Sequence, residues 1–380
     1  MVVKQIANIK AICDRDALVE AMNLITGVVA GRTPTPALQC VLITGDDGQL
    51  RLSASDTEIS LSLTIDRVDL EVDGTSLVPA EKLSQIAKNC DDSTLAIVGD
   101  EDALKIRSSD SRFTIFGFPA AEAFGIPVAG ESEADFSVSS FEFKKLMDRS
   151  TFAAATDHSR YAINGVLLDR VGNNVRLVAT NGHRLAIASG QCEGDEKSQN
   201  CIIPTKAMNL LKRLLGDEQS SVSVHISSSQ ITFLVSNANG TNATLTSNLV
   251  EGTFPPFEDV VPKDLNRKAT ISTGALNKAV RRANLMTNEE SRGVRLTFDG
   301  ESLLITSRAP ETGEAEIEVP IKSFTGERLE IGFNPAYIMD ALKVADADEI
   351  TIELKKSEKP GLIRCGSDFV YVIMPVSLNS

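Results

Sequence analysis

Tryptophan is absent from this chain, and histidine and tyrosine occur only three times each. The six cysteines, Cys13, Cys40, Cys90, Cys192, Cys201 and Cys365, are scattered with no C-x-x-C pair. That spacing indicates neither a zinc site nor a disulfide framework, and predicts free, mostly buried thiols. No apolar run approaches the roughly 18 to 20 residues that span a bilayer, and MVVKQIANIKAICDRDALVE lacks a secretory apolar region with a cleavage site. A cytoplasmic protein is expected. Basic residues are outnumbered, 38 against 52, for a net charge of -14. At first sight this argues against nucleic acid, since phosphate needs positive potential where it is touched, but net charge is not charge distribution. Catalytic signatures are missing as well. GVVAGRT at 27–33 has neither the spacing nor the lysine of a Walker A loop, and there is no H-E-x-x-H, no G-x-S-x-G and no strand-linked G-x-G-x-x-G. No metal or cofactor is expected.

What is present is a repeat. Apolar residues make up 42% and charged residues 24% of 380 positions, ordinary values for a globular protein long enough for two to four domains. LVPAEKLSQIAKNC (77–90), IIPTKAMNLLKRLLGD (202–217) and GFNPAYIMDALKVADAD (332–348) each pass from a β-like run through Pro79, Pro204 or Asn334 into a short amphipathic helix. Longer helical patterns open each copy at 14–29, 139–155 and 272–289, with Asp14, Ser139 or Ser140, and Ser272 or Thr273 as N-caps. LRLSASDTEISLSL, VRLVATNGHRLAIA and LLITSRAPETGEAEIEV read as strand, turn, strand, and Asp47-Gly48, Gly172-Asn173 and Asp299-Gly300 read as hairpin turns. Gly, Pro and acid collect at 119–136 and 251–268, where the copies end. The expectation is an α+β protein of three domains, 1–130, 131–256 and 257–380, each with two helices on antiparallel sheets.

Positive charge is gathered on the helices. Lys82, Lys88, Lys206, Lys212, Arg213 and Lys343 lie on the second helix of the three copies, and Lys144, Lys145, Arg149, Lys278, Arg281 and Arg282 on the opening helices of the last two. If the helices share one face, an acidic protein presents a basic surface that binds phosphates without reading sequence. Solvated helix faces on a plain scaffold are the other reading.

The histidines divide. His225 sits in the alternating run VSVHIS and reads as half-exposed, while His158 follows Asp157. His183, beside Arg184, is the one histidine in a dense polar and apolar cluster. A general base needs a nucleophile or an orienting carboxylate within hydrogen-bond reach, and the sequence identifies neither. A rigid turn, with Gly182 supplying backbone freedom and Leu185 pointing into a hollow, fits better than an enzyme centred on His183 with Asp157 or Arg184.

SRYAINGVLL leading into VATNGHRLA, with GRTPTPAL (31–38), LVEGTFPPFEDVVP (249–262), SRGVRL (291–296), IGFNPAYIMDAL (331–342) and YVIMPVSL (371–378), closely resembles the bacterial DNA polymerase III beta subunit family, the sliding clamps. The likeness covers the whole length, and the order and spacing of the motifs make it specific. It implies a head-to-tail homodimeric ring with helices lining a central hole and sheets outside, a processivity factor that encircles duplex DNA and slides on it. It implies no catalysis and no cofactor of its own, and a separate ATP-driven loader.

The resemblance also implies a hydrophobic pocket for short partner motifs, a glutamine followed by apolar residues, borne by the replicative polymerase, other polymerases, the clamp loader and repair proteins. Onto this sequence it places Arg160, Ile163, Thr180, Gly182, His183, Arg184, Leu185, Pro255, Val260, Asn334, Tyr337, Val372, Met374, Pro375 and Val376 in that pocket, with His183 and Arg184 framing its polar rim. DNA contact is carried onto Arg32 and Tyr161 by motif, and onto Lys88, Lys206 and Arg213 by helix position. Phe113 and Ile115 are expected to face Leu285 and Met286 across the dimer. Three positions depart from the family pattern: Asn181 stands where Asp is usual, Ala162 where an aromatic is frequent, and Ser377 where a basic residue is common.

Overall fold

Short alternating strands cannot bury a face alone, so they pair into wide antiparallel sheets on which amphipathic helices close a core. The computed structural model describes residues 8–100, 102–123, 134–156, 162–216, 220–236, 242–287, 293–311 and 313–377. The chain divides into two compact units. The first holds Met1–Lys144, Cys192–Asp195 and Lys206–Leu249, and the second Lys145–Gln191, Glu196–Thr205 and Val250–Ser380. The middle third of the sequence thus contributes to both.

The first unit contains a five-stranded sheet in the order Val68–Val72, Lys10–Asp14, Thr94–Gly99, Ala103–Arg107, Arg112–Phe116. Its nine-stranded sheet runs Glu193–Gly194, Phe136–Ser139, Ser221–Ile226, Gln230–Ser236, Asn242–Asn248, Ile59–Ile65, Gln49–Ser55, Cys40–Asp46, Gly74–Pro79. The second unit has its own nine-stranded sheet: Ser198–Pro204, Gly165–Val171, Asn174–Thr180, Arg184–Gln191, Phe369–Ile373, Gly361–Cys365, Glu349–Leu354, Arg267–Ser272, Ser323–Thr325. A four-stranded sheet completes it, in the order Gly313–Pro320, Ser302–Ala309, Val294–Asp299, Leu329–Phe333. Each nine-stranded sheet joins a four-strand run to a five-strand run from another part of the chain. The joins are Ala243↔Leu63 through Ser247↔Ile59 in one and Arg184↔Ile373 through Ala188↔Phe369 in the other.

Six α-helices occur among the described residues: α1 (Arg15–Ile25), α2 (Ala80–Asn89), α3 (Ser140–Ser150), α4 (Thr205–Leu214), α5 (Thr273–Asn284) and α6 (Pro335–Val344). Two fall to each expected copy. The expected caps hold: Asp14 accepts from Ala17 N, Ser139 from Glu142 N and Ser272 from Ala275 N, while Pro335 takes the first position of α6 behind Asn334. The opening helices are shorter than their patterns. α1 closes at Thr26, whose N–H donates to Met22 O, and α3 tightens into a 3-10 turn over Thr151–Ala153. Asp47 and Gly48, at φ 50° and 75°, make the two-residue hairpin turn whose twist matches its strands.

Burial follows the periodicities. On α1, Leu18, Met22 and Ile25 are buried, and elsewhere in the first unit Phe143 and Phe233 meet at 6.0 Å. In the second unit α5 buries Leu276, Val280 and Ala283, and Ser307 Oγ donates to Ala283 O at 2.7 Å to lock helix to sheet. All six cysteines are free and buried. Burial pushes the Cys40 thiol up to about 11 and the Cys13 and Cys201 thiols to about 12, so these groups stay protonated and inert.

One ionic cluster lies inside the second unit. The Arg149 side chain is 3% exposed, bonded to Asp346 at 2.5 Å and Asp368 at 2.7 Å, with its guanidinium 5.6 Å from the Phe369 ring centre. Lys145, one turn earlier, reaches Asp368 at 2.8 Å and Asp346 at 3.4 Å. Burial alone would raise both carboxyls, but the two cations outweigh it and hold both below the usual aspartate range. A folded pKa below the unfolded one stabilises fully above about pH 4 and loses that contribution as acid protonates the pair. Arg149→Ala is therefore expected to cost about 1 to 3 kcal/mol at neutral pH and to flatten the acid limb of stability below about pH 4. Urea unfolding at a series of pH values measures both.

Candidate binding site

The HRL stretch is built by one hairpin, Asn174–Thr180 to Arg184–Gln191, closed by Asn181, Gly182 and His183. Gly182 has φ +86°, a region that favours glycine. Side chains brace the turn from within. Thr180 Oγ1 donates to Arg184 O at 2.6 Å and accepts from Gly182 N at 3.1 Å. Asn181 Oδ1 accepts from His183 N at 3.0 Å and Arg184 N at 3.1 Å. These two donors leave Asn181 Nδ2 facing the Tyr337 hydroxyl, to which it donates at 3.4 Å. Asparagine at this position therefore keeps the turn.

Arg184 corrects an expectation. Instead of framing a polar rim, its side chain is 11% exposed and lies beneath the turn. It donates to Asp340 Oδ2 and to Phe152 O, each at 2.5 Å, and is flanked by the Tyr337 ring at 4.7 Å and the Phe152 ring at 5.4 Å. A guanidinium so paired and stacked is a fixed strut. Tyr371, fully buried beside Phe152, has its phenol pushed above its ordinary range by burial. Of the pair, His183 stays exposed at the rim, and its imidazole makes no hydrogen bond among the described residues.

The last strand delivers the tail. Leu185 pairs with Val372, Met374 N donates to His183 O at 2.9 Å and Val376 N to Gly332 O at 2.9 Å, so Met374, Pro375 and Val376 leave the sheet beside the turn, half-buried. Asn334 caps α6 and places Tyr337 in its first turn. Pro255 and Val260 arrive on an irregular strap whose Phe254 and Phe257 pack on the cluster of Leu185, Val372, Ala162 and Leu362. Ile163 follows Ala162 in the 3-10 turn Ala162–Asn164 and is half-buried. Fourteen of the fifteen expected pocket residues are thus placed in one unit, Thr180 to Leu185, Tyr337 and Val372 to Val376 through direct links. Arg160 lies outside the described residues, as do Tyr161, Asp157 and His158.

A second correction concerns Leu185. At 2% exposed it belongs to the core and does not point into a hollow, whereas Val260 is 44% exposed. Asp340, Phe152 and Arg176 were not singled out from the sequence. Of these, only Asp340 had a usable signal, standing three residues after Tyr337 on the same face of α6.

The expected DNA contacts among the described residues, Arg32, Lys88, Lys206 and Arg213, lie in the first unit. Arg32 and Lys88 are exposed. Lys206 forms an ion pair with Asp56, and Arg213 donates to Asn23 O at 2.6 Å, so both are engaged within the fold. For the dimer, Phe113 is 37% and Leu285 74% exposed, and Met286 is half-buried. Ile115, 6% exposed, turns its side chain into its own unit and leaves only main chain for a partner. Phe116, 79% exposed on the same strand, was missed.

Comparison with known proteins is consistent along the chain. Residues 9–126, 137–256 and 258–377 match the models of the N-terminal, central and C-terminal domains of the DNA polymerase III beta subunit. The beta sliding clamp of Pseudomonas aeruginosa is 34% identical over 369 residues, covering 96% of this chain and 98% of that relative. A crystal structure of the DNA polymerase III subunit beta from the same species superposes with TM-score 0.88 at 33% identity, over 97% of this chain and 100% of that one. The Bacillus subtilis sliding clamp gives TM-score 0.91 at 28% identity, over 98% and 100%.

Because Leu185 is core and Met374 is half-buried, their truncations should separate. Leu185→Ala is expected to cost about 2 to 5 kcal/mol of stability, and Met374→Ala under about 1.5 kcal/mol, read by urea unfolding.

Proposed function

This chain belongs to the DNA polymerase III beta subunit family of sliding clamps, and we propose that it acts as a homodimeric ring that encircles duplex DNA and tethers replication and repair proteins to it. The observation that carries the ring is the strand count. Both nine-stranded sheets join a five-strand run to a four-strand run, and one five-stranded and one four-stranded sheet remain, with open edges at Arg112–Phe116 and Gly313–Pro320. In the completed sheets the fifth strand of a five-strand run pairs with the fourth of a four-strand run. The same rule pairs Arg112–Phe116 of one subunit with Gly313–Pro320 of another. Two copies of that contact, related by a two-fold axis, close a ring and cover both of those edges.

Charge supports this pairing. Arg107 and Arg112 stand directly opposite each other at one edge, and Glu314, Glu316 and Glu318 are exposed along the other. Like charges side by side are unfavourable until opposite charges face them. Phe113 meeting Leu285 and Met286 would add apolar burial. Raised salt should therefore loosen the dimer, and Leu285→Asp should yield monomers at concentrations where the parent is dimeric, by sedimentation velocity.

In the ring the helices would line the hole. Arg32, Lys88, Tyr161, Lys206 and Arg213 would meet phosphates without reading bases, and topology rather than affinity would retain the DNA. The groove between the hairpin turn, the tail, Tyr337 and the strap would take a glutamine followed by apolar residues, with Met374 adapting to several partners. Partners would include the polymerase III alpha subunit, the loader, other polymerases and repair proteins. The ring would act in the cytoplasm without catalysing a reaction or holding a cofactor.

Retention on nicked circular plasmid after loading, followed by linearisation, tests the ring: release on cutting is expected, and equal retention on circle and line would defeat it. Met374→Ala should weaken a labelled motif peptide by about 1 to 3 kcal/mol in fluorescence anisotropy.

A further inference from the structure

The strap Glu251–Leu265 carries two walls of the candidate groove, Pro255 and Val260, yet its main chain makes few hydrogen bonds. Among the described residues its backbone hydrogen bonds are two local ones, Asp259 N to Pro256 O at 3.3 Å and Val260 N to Phe257 O at 3.1 Å, with outside anchors only at Val250 and Asn266. Its place is set by side chains. Phe254 enters the apolar cluster, with Phe257 edge-on to it at 6.4 Å. Val261 and Leu265 pack against the same cluster, and Arg176 adds a polar clasp. From the strand Asn174–Thr180, its guanidinium lies 5.3 Å from the Phe257 ring centre and donates Nη1 to Glu258 Oε1 at 3.2 Å. Its Nε donates to Asp169 Oδ2 at 2.9 Å and its Nη2 to the same oxygen. Asp169 is the directly opposite residue on the neighbouring strand.

This is a three-part clasp. Asp169 aims the guanidinium, the guanidinium covers Phe257, and Glu258 ties the strap's 3-10 turn to the same group. Arginine suits the place because one planar fork can stack on a ring while bonding two carboxylates, which a lysine ammonium cannot do. We propose that Arg176 is a positioning residue for partner binding: it touches no partner but holds Pro255 and Val260 at the distance from Met374 that a motif's apolar side chain requires. The proposal rests on the groove being the partner site.

Two measurements on the full-length dimer test it. The first is anisotropy with a fluorescein-labelled peptide of glutamine followed by leucines and a phenylalanine, titrated with parent, Arg176→Ala and Arg176→Lys. Arg176→Ala is expected to weaken binding about five- to twentyfold, with Arg176→Lys between the two, while the unfolding midpoint in urea moves little. The loss should be local to the strap. Trimming the peptide's apolar residues one at a time should show that one of them contributes less in Arg176→Ala, while the contribution lost on Met374→Ala is unchanged. The second needs no peptide: trypsin should cut after exposed Lys263 faster in Arg176→Ala than in the parent. Unchanged affinity and unchanged cleavage would overturn the proposal, as would a uniform loss across all peptide positions that tracks a lower unfolding midpoint. A parent that fails to bind the peptide, while Arg176→Ala still speeds cleavage, would instead count against the groove as the partner site.

Discussion

Antiparallel pairing between Arg184–Gln191 and Phe369–Ile373 is the contact on which the candidate site depends. It joins segments more than 180 residues apart in sequence, and its register does several things at once. Leu185 opposite Val372 seals a common core, Met374 bonds to His183 where the hairpin turns, and Arg184 comes within reach of α6. A slip of one residue would put every side chain of one strand on the wrong face. The groove is therefore a product of sheet geometry more than of any loop.

Within that geometry, holding and presenting are separate jobs. Leu185, Val372, Phe254 and Arg184 hold: they are buried, paired or stacked. Met374, Val260 and His183 present: they are partly or fully open at the rim. The motif that names the site is in this sense half foundation, and a substitution at Leu185 or Arg184 reports on folding before it reports on binding. In the first unit Lys206 pairs with Asp56 and Arg213 with a backbone carbonyl, yet both stay exposed, as Arg32 and Lys88 do.

Local features were legible in the sequence. Asp14, Ser139 and Ser272 cap where their side chains and the following apolar spacing said they would, and two hairpin turns sit at Asp47-Gly48 and Gly172-Asn173, while the third falls one residue later than expected, at Gly300-Glu301, with Asp299 ending the strand; Gly48, Gly172 and Gly300 all take the positive φ that favours glycine. What escaped was whatever depends on which distant strand lies alongside. Nothing in VRLVAT says that Arg176 will find Phe257 and Glu258 some eighty residues later, and nothing in DHSRYAI or NGHR says that Phe152 and Asp340 will close on Arg184. Ile115 was misplaced for a simpler reason: on an alternating strand its neighbours Thr114 and Phe116 take the outward positions.

The two completed sheets and the two unfinished ones differ in how their halves find each other. Asn242–Asn248 and Ile59–Ile65 belong to one polypeptide, as do Arg184–Gln191 and Phe369–Ile373, so each join re-forms at a fixed effective concentration set by the connecting chain. Arg112–Phe116 and Gly313–Pro320 have no such leash to a partner molecule. Any bond made there follows mass action, weakening on dilution while the rest of the fold is indifferent to it. In the proposed ring, that pairing would be a seam that can part and rejoin at the cost of no other structure.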